Sequence, residues 1–509
     1  MEQERTPPAS KRARMPSPWQ SQAQAQAVDD AEDRLSALDD GALHAILARL
    51  PLRDAAATAV LSRRWPRVFA TLPRLRLHPA TFNRRGYDGD EGDEDDCEDA
   101  HCWMDALGRV LDGRAAPVAA FEVRAKFMGL YDGWFHDAFR RLCGSGGLLE
   151  LGVVNTKYDE CYPLPSPVYC CATLTSLDLY NWRIRVPGRL AAAGLRAVRS
   201  LRLRDVVATD ADLRRLISRC GALEHLEIHD VHRARNVVVR APCLEKLEVF
   251  SFRPLRVSVK KAPRLGTVRL DLSYCYPEDS WSINDTMDSE EDYSFSEIEA
   301  MCDYEKMAER EHKQTDEVRN MVTFLRGLCG VKKLQLYLPT EYSEVLSKVR
   351  VSMLKRLPKK NYLLGLETLA LTLDHNDKVL ATFVSCLLNS SPNLKNLIIK
   401  EVWGMGSSVP LPAEFWEEQV DADCTLNHLS SVTFYIESLF KGNPCGSLCR
   451  FLVMNARVLR RLCIEYYRSK VRPEDAAKVE EVWKELHCWP RASPDAVLEL
   501  CPLDRCPSY

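Results

Sequence analysis

The sequence predicts an α/β protein: a small module of three helices, then a solenoid of stacked short repeats whose strands form one parallel sheet on its concave side, closed by a terminal cap. Three observations carry this expectation. One short apolar pattern recurs twelve times between residues 118 and 464. Apolar residues at helical spacing gather within residues 33–77. A helix-then-strand segment follows the last regular repeats, where a stack needs its open end covered. The 509 residues would fill about three ordinary domains, but a solenoid grows by adding units rather than by enlarging one core.

Taken in order, residues 1–32 hold Pro, Ser, Gln and Ala with few large apolar side chains and read as a disordered tail. Within it, Lys11, Arg12 and Arg14 read as a solvated charge cluster. Leu43, Ile46, Leu47 and Leu50 share one helical face, and Pro51 ends that helix. Asp54 is the expected N-cap of a second helix running over 55–61. Ser62 is a candidate cap for a third, with Trp65, Val68, Phe69 and Leu72 on one face. Residues 78–117 read as a linker containing the acidic run 88–99, DGDEGDEDDCED, whose like charges keep it solvated.

The repeat is apolar, two residues, apolar, one residue, apolar. It occurs at Val118/Phe121/Val123, Leu148/Leu151/Val153, Leu174/Leu177/Leu179, Val198/Leu201/Leu203, Leu223/Leu226/Ile228, Leu244/Leu247/Val249 and Leu265/Val268/Leu270. It returns at Val331/Leu334/Leu336, Leu366/Leu369/Leu371, Leu394/Leu397/Ile399, Leu429/Val432/Phe434 and Leu459/Leu462/Ile464. From 148 to 265 the units start 26, 24, 25, 21 and 21 residues apart, within the roughly 20–29 residues of a leucine-rich repeat. The last two apolar residues of each unit have strand period and point to one side. The first enters the same core from the preceding turn, and only the next unit can cover the result. The solenoid is assigned to residues 118–423, with an irregular acidic insertion at 271–330 in which Met301, Tyr304, Met307, Val318, Val322 and Leu325 fit a returning helix. Residues 424–500 form the terminal repeats and cap: Phe451–Leu462 in helix-then-strand order, a last amphipathic helix carrying Val479, Val482, Trp483 and Leu486, and a turn and closing strand at 490–500. Residues 501–509 are a tail.

Side chains alternating with the core leucines face solvent on the concave wall. They include Tyr180, Arg202, Arg204, His225, Glu227, His229, Lys246, Glu248, Phe250 and Arg269, along with Asp271. This mixed-charge surface with two aromatics suits a protein or a polar ligand. Arg202, Arg204 and Arg269 form a basic cluster that also fits an anionic small molecule.

Composition narrows the function. The 69 basic and 72 acidic residues leave a formal charge of −3, without the basic excess of a general nucleic-acid binder. No apolar run approaches the 18 residues of a membrane helix, and the first residues are polar. The expected setting is intracellular, cytoplasm and/or nucleus, with neither nucleic acid nor membrane as partner. The 19 cysteines are scattered and read as reduced thiols. Cys97, His101 and Cys102 lack a second ligand pair, and Cys170/Cys171, Cys445/Cys449 and Cys501/Cys506 are no closer to a metal-ligand pattern. The expectation is no metal and no cofactor. Gly144–Gly147 lacks a phosphate-loop lysine, and neither H-E-x-x-H nor G-x-S-x-G occurs, so no catalytic residue is assigned.

The stretch 33–76, DRLSALDDGALHAILARLPLRDAAATAVLSRRWPRVFATLPRLR, closely resembles the F-box of plant F-box/leucine-rich-repeat proteins. The segments CRFLVMNARVLRRLCIEY (449–466) and PRASPDAVLEL (490–500) resemble the FBD domain that often follows in that family. The resemblance implies a non-catalytic subunit of an SCF-type ubiquitin ligase. Its F-box docks on a Skp-family adaptor tied to a cullin–RING scaffold, and its solenoid binds an unidentified target protein. By the same resemblance, Leu38, Leu43, Ile46, Leu47, Leu50, Pro51, Val60, Leu61 and Trp65 make adaptor contact or support it, with Leu38, Ile46, Leu47 and Pro51 as contacts. Two positions depart from the family. Asp39 stands where proline usually follows the leucine, and Pro66 where a basic residue usually follows the tryptophan. Proline inside a helix started at Ser62 costs about 3 kcal/mol, but in the first turn of a helix started near Trp65 it is tolerated. The alternative implied by these departures is a leucine-rich-repeat interaction scaffold whose F-box no longer engages the adaptor.

Overall fold

The computed structural model describes residues 38–77, 105, 107–125, 132–156, 161–188, 194–252, 255–272, 321, 323–338, 363–401, 411–422, 426–436, 446–471 and 475–503. The N-terminal tail, the acidic run 88–99, the Cys97/His101/Cys102 group, Met301, Tyr304, Met307, Val318, Val322, Cys445 and Cys506 lie outside them. Two units divide the chain, residues 1–118 and 119–509.

The first unit contains the expected three helices, α1 Asp40–Leu47, α2 Leu52–Ala57 and α3 Trp65–Ala70. Asp39 starts α1, its carboxylate accepting the Ala42 amide at 2.7 Å. Leu43, Leu47, Leu52, Ala55, Trp65, Val68 and Leu72 form the core. α2 starts at Leu52, three residues earlier than expected. Proline is pre-set for a helix entrance, and the Pro51 carbonyl accepts the Ala55 amide at 2.9 Å. Asp54 therefore lies in the first turn, where its charge complements the helix dipole, and residues 58–60 tighten into a 3₁₀ turn. α3 begins at Trp65 with Pro66 in its first turn, so the proline breaks no helical hydrogen bond. His44 Nε2 lies 3.1 Å from both the Val68 carbonyl and the Thr71 hydroxyl, tying α1 to α3. Arg114 donates to the carbonyls of Phe69 and Leu72, satisfying acceptors freed at the end of α3.

In the second unit the apolar triplets behave as their spacing predicts. Every residue in the twelve triplets is at most 4 % exposed. The strands are β1 Ala120–Ala125, β2 Glu150–Asn155, β3 Ser176–Tyr180, β4 Ser200–Ala208, β5 His225–His232, β6 Lys246–Ser251 and β7 Thr267–Leu272. They continue as β8 Lys333–Tyr337, β9 Thr368–Thr372, β10 Asn396–Lys400, β11 Ser431–Ile436, β12 Arg461–Tyr467 and β13 Val497–Leu503. Each pairs in parallel with the next, and the triplets stay aligned: Leu177 faces Leu201, Leu201 faces Leu226, and Leu226 faces Leu247. The acidic insertion does not interrupt this order, since Thr267 of β7 pairs with Lys333 of β8. Of the insertion's expected returning helix, Leu325 is described; it is buried, with helical backbone at 323–326.

Asn181, Asp205 and Asp230 sit two residues past the last triplet residue of β3, β4 and β5, with φ of 57°, 53° and 46°. Asn and Asp tolerate this left-handed conformation better than other non-glycine residues, which lets the backbone turn there. The return paths run over the buried side as helices, including α4 Asp132–Gly144, α5 Ser166–Cys170, α6 Asp210–Arg219, α7 Lys378–Asn389 and α8 Ala413–Gln419. Residues 236–239 and 256–259 instead pair as a separate two-stranded parallel sheet. The terminal segment follows its expected order, with α9 Ser447–Asn455 before β12 and α10 Ala476–Cys488 before β13. Leu486 is buried, but Trp483 is 46 % exposed and stacks on His487. β13 runs on to Leu503, past the expected boundary at 500, because Cys501, Pro502 and Leu503 continue the register opposite Glu465, Tyr466 and Tyr467.

The turn after β9 buries Asp374, His375 and Asn376. His375 Nδ1 has no hydrogen-bond partner among the described residues, and its ring lies 6.0 Å from Phe434. Burial lowers its pKa, partly opposed by Asp374. The unfolded chain takes up this proton from about pH 6.5 downward, before the folded chain does, so stability falls as pH drops below that value. The melting temperature of wild type is expected to fall more between pH 7.5 and 5.5 than that of His375→Gln, checked by thermal unfolding at both pH values.

Candidate functional site: exposed face of the helical unit and outer face of the sheet

In the helical unit, packing sorts the nine residues assigned to adaptor docking. Leu43, Leu47 and Trp65 are core, at 0, 1 and 3 % exposure, and support the unit from within. Leu38 and Ile46 are half-buried and Pro51 is exposed. Leu50, Val60 and Leu61 are 39, 89 and 56 % exposed. Large apolar side chains this open, following one another within a short stretch, are what a docking surface offers. Asp39, which the family pattern marks as a departure, is engaged in capping α1.

On the sheet, the in-register strands stack the outward side chains into three rows. One row runs Tyr180, Arg204, His229, Phe250, Asp271 and Tyr337, and the next runs Asp178, Arg202, Glu227, Glu248, Arg269 and Gln335. His225 and Lys246 pair in the third. All ten residues assigned to target binding are at least partly exposed on this face, whereas Asp271 is buried at 8 %.

Two of the three arginines of the basic cluster are already paired. Arg202 donates to Glu227 at 2.7 Å and to Asp178 at 3.1 Å, and Arg204 binds both oxygens of Asp178 at 3.0 and 3.1 Å. The hydrogen bond to Glu227 is the main reason the Arg202 pKa is raised. Glu227 also meets His229 Nε2 at 3.1 Å, and Lys246 pairs with Glu248 at 2.9 Å. The Arg204 guanidinium lies 5.7 Å from the Tyr180 ring centre, and His229, Phe250 and Phe252 make successive ring contacts at 5.6 and 4.7 Å. A self-paired charge network beside an aromatic cluster gives directional polar contacts and apolar area together, the composition of a protein-binding surface.

The same rows continue into strands that contributed nothing to the sequence-based site. Tyr337, Thr372, Lys400 and Tyr435 extend the aromatic row, with Lys400 Nζ 5.2 Å from the Tyr435 ring centre. Their signal was the same alternation around Leu334/Leu336 through Val432/Phe434. Of the cysteine pairs found by sequence proximity, Cys170 and Cys171 are both described, the first exposed and the second buried. Cys501 instead approaches Cys463, thirty-eight residues earlier, with sulfurs 3.1 Å apart. Burial, then the neighbouring Cys501 thiol, raises the pKa of Cys463.

Fold and outer face together define a leucine-rich-repeat solenoid. Residues 132–284 match the family described as "FBD-associated F-box protein At5g56370, LRR repeats". The putative F-box/FBD/LRR-repeat protein At2g05300 of Arabidopsis thaliana is 26 % identical over 89 % of this chain and 94 % of its own length. The F-box/FBD/LRR-repeat protein At2g04230 from the same plant is 24 % identical over 89 and 94 %. A putative FBD-associated F-box protein, At5g53635, is 23 % identical over 85 and 95 %. The chain thus resembles plant F-box/LRR-repeat proteins with an FBD-like C-terminal domain over most of its length.

Removing the Asp39 cap with Asp39→Ala is expected to cost about 1 kcal/mol of α1 stability. Hydrogen exchange in the full-length protein checks this: α1 amides should exchange about fivefold faster, while amides of β4 and β5 should be unchanged.

Proposed function

We propose that the chain is the substrate-recognition subunit of an SCF-type cullin–RING ubiquitin ligase. Residues 33–77 are the F-box that binds the Skp-family adaptor, residues 118–423 are the solenoid that binds the target protein, and residues 424–500 are the FBD-like cap. The observation that carries the reading is the division of labour in the helical unit. Its small core is complete without Leu50, Pro51, Val60 and Leu61, which are left for a partner. Relatives aligned over most of the chain bear F-box, FBD and LRR in their names, which supports the presence of the same kinds of module. The subunit performs no chemistry itself. It holds target and ligase together and raises their effective concentration.

Asp39 and Pro66 favour the alternative, an interaction scaffold without adaptor, only through the surface they alter, because both fit the helical fold. Pairing of Arg202 and Arg204 with carboxylates takes up two of the three positive charges that would attract an anionic ligand.

Adaptor pulldown with purified Skp-family protein tests the proposal. Wild type is expected to bind, and Val60→Asp/Leu61→Asp to bind at least about 30-fold more weakly, as for loss of an interface hot spot. These exposed positions leave the core intact, whereas aspartate at Leu47 would unfold it. No wild-type binding, with gain in Asp39→Pro, would establish the scaffold reading instead.

A further inference from the structure

The last two strands carry mirrored motifs, Cys463-Ile464-Glu465 on β12 and Glu499-Leu500-Cys501 on β13. Their register sets Cys463 opposite Glu499 and Glu465 opposite Cys501. Because alternate residues share a face, the four side chains occupy the corners of a two-by-two block on the sheet face opposite Leu462, Ile464 and Leu498. One diagonal is two thiols and the other two carboxylates. The sulfurs are 3.1 Å apart, and Glu465 Oε1 is 4.0 Å from Cys463 Sγ. One donor atom each from Cys463, Glu499 and Cys501 lies within 4.8 Å of the other two. Arg461 Nε holds Glu499 Oε2 at 2.8 Å, which orients that carboxylate and leaves its other oxygen to act as a donor.

We infer that Cys463, Cys501 and Glu499 form a binding site for a thiophilic divalent cation, Zn²⁺ in the first instance, with Glu465 or water in the fourth position. Two thiolates and a carboxylate are a zinc donor set, whereas Mg²⁺ and Ca²⁺ require oxygen throughout. Two sulfurs bound at about 2.3 Å to a tetrahedral ion sit about 3.8 Å apart, while a disulfide brings them to about 2.05 Å. The observed separation lies between these. The flanking carboxylates favour a bound cation, and Glu499 supplies an oxygen donor that a disulfide would not use. Binding releases the thiol protons to solvent and leaves sulfur oxidation state unchanged. The ion would fasten edge strand β13 to β12.

The test uses reduced full-length protein, stripped with chelator, titrated with Zn²⁺ and with Mg²⁺ as control, then desalted for metal analysis. Expected are one retained zinc per chain, no retained magnesium, loss of the zinc in Cys463→Ser and Cys501→Ser, and at least about tenfold weaker binding in Glu499→Gln. Cys329→Ser, an exposed thiol elsewhere, should bind like wild type. No zinc in wild type, or equal zinc in folded Cys463→Ser and Cys501→Ser, overturns the inference. A Cys463–Cys501 disulfide in protein isolated under alkylating conditions, two hydrogens lighter, also overturns it. If the serine variants fail to fold, wild type alone decides. Zinc must slow alkylation of the half-buried Cys501 and chelator must restore it, and unchanged alkylation refutes the site. Adaptor binding is a separate readout, independent of either result.

Discussion

Each repeat of the solenoid carries three apolar side chains that it cannot bury alone. Fully covering a leucine side chain contributes roughly 1.5–3 kcal/mol, but only when the neighbouring unit sits in the same register. The aligned ladder from Leu177 through Leu201, Leu226 and Leu247 to Val268 meets this condition. The parallel hydrogen bonds, the turns at Asn181, Asp205 and Asp230, and the three outward rows all follow from it. A shift of one residue in any strand would turn its leucines to solvent and its charges into the core.

That dependence also accounts for the outer face. Arg202 reaches both Asp178 and Glu227 only because the three strands are level. The aromatic row forms because every unit places its outward residue at the same height. The outer face is therefore a product of stacking, set out at the strand spacing of about 4.8 Å. The small helical unit obeys a different economy. With few residues to make a core, Leu43, Leu47 and Trp65 are committed inward, and Val60 and Leu61 are left outside.

Much of this was legible in sequence because the repeat has a fixed spacing: triplets, strand order and outward positions on β3–β7 all followed from it. Helix starts were less legible where two signals competed. Asp54 looked like a cap, but Pro51, three residues earlier, supplied the preset backbone and α2 began there. Asp39 looked like a lost docking residue, although aspartate just before a helix is a cap signal in its own right. The Asn181/Asp205/Asp230 series could have been found by aligning the units. The approach of Cys463 to Cys501 could not, because it depends on how β12 and β13 register across the intervening α10. The pairing of Arg202 and Arg204 with Asp178 likewise needed side-chain geometry rather than periodicity.

The junction at Thr267 and Lys333 has a further consequence. The sheet passes directly from β7 to β8 although residues 273–332 lie between them, and towards the end of that stretch Met321, Phe324, Leu325 and Leu328 are buried. Closing such an excursion costs free energy that grows only logarithmically with its length, about 0.6 kcal/mol per doubling. Ahead of Met321, the strand register therefore sets little limit on the length of chain inserted at this point. A change of length there leaves the β7–β8 register intact, which makes the junction a port where novelty can enter an otherwise regular array.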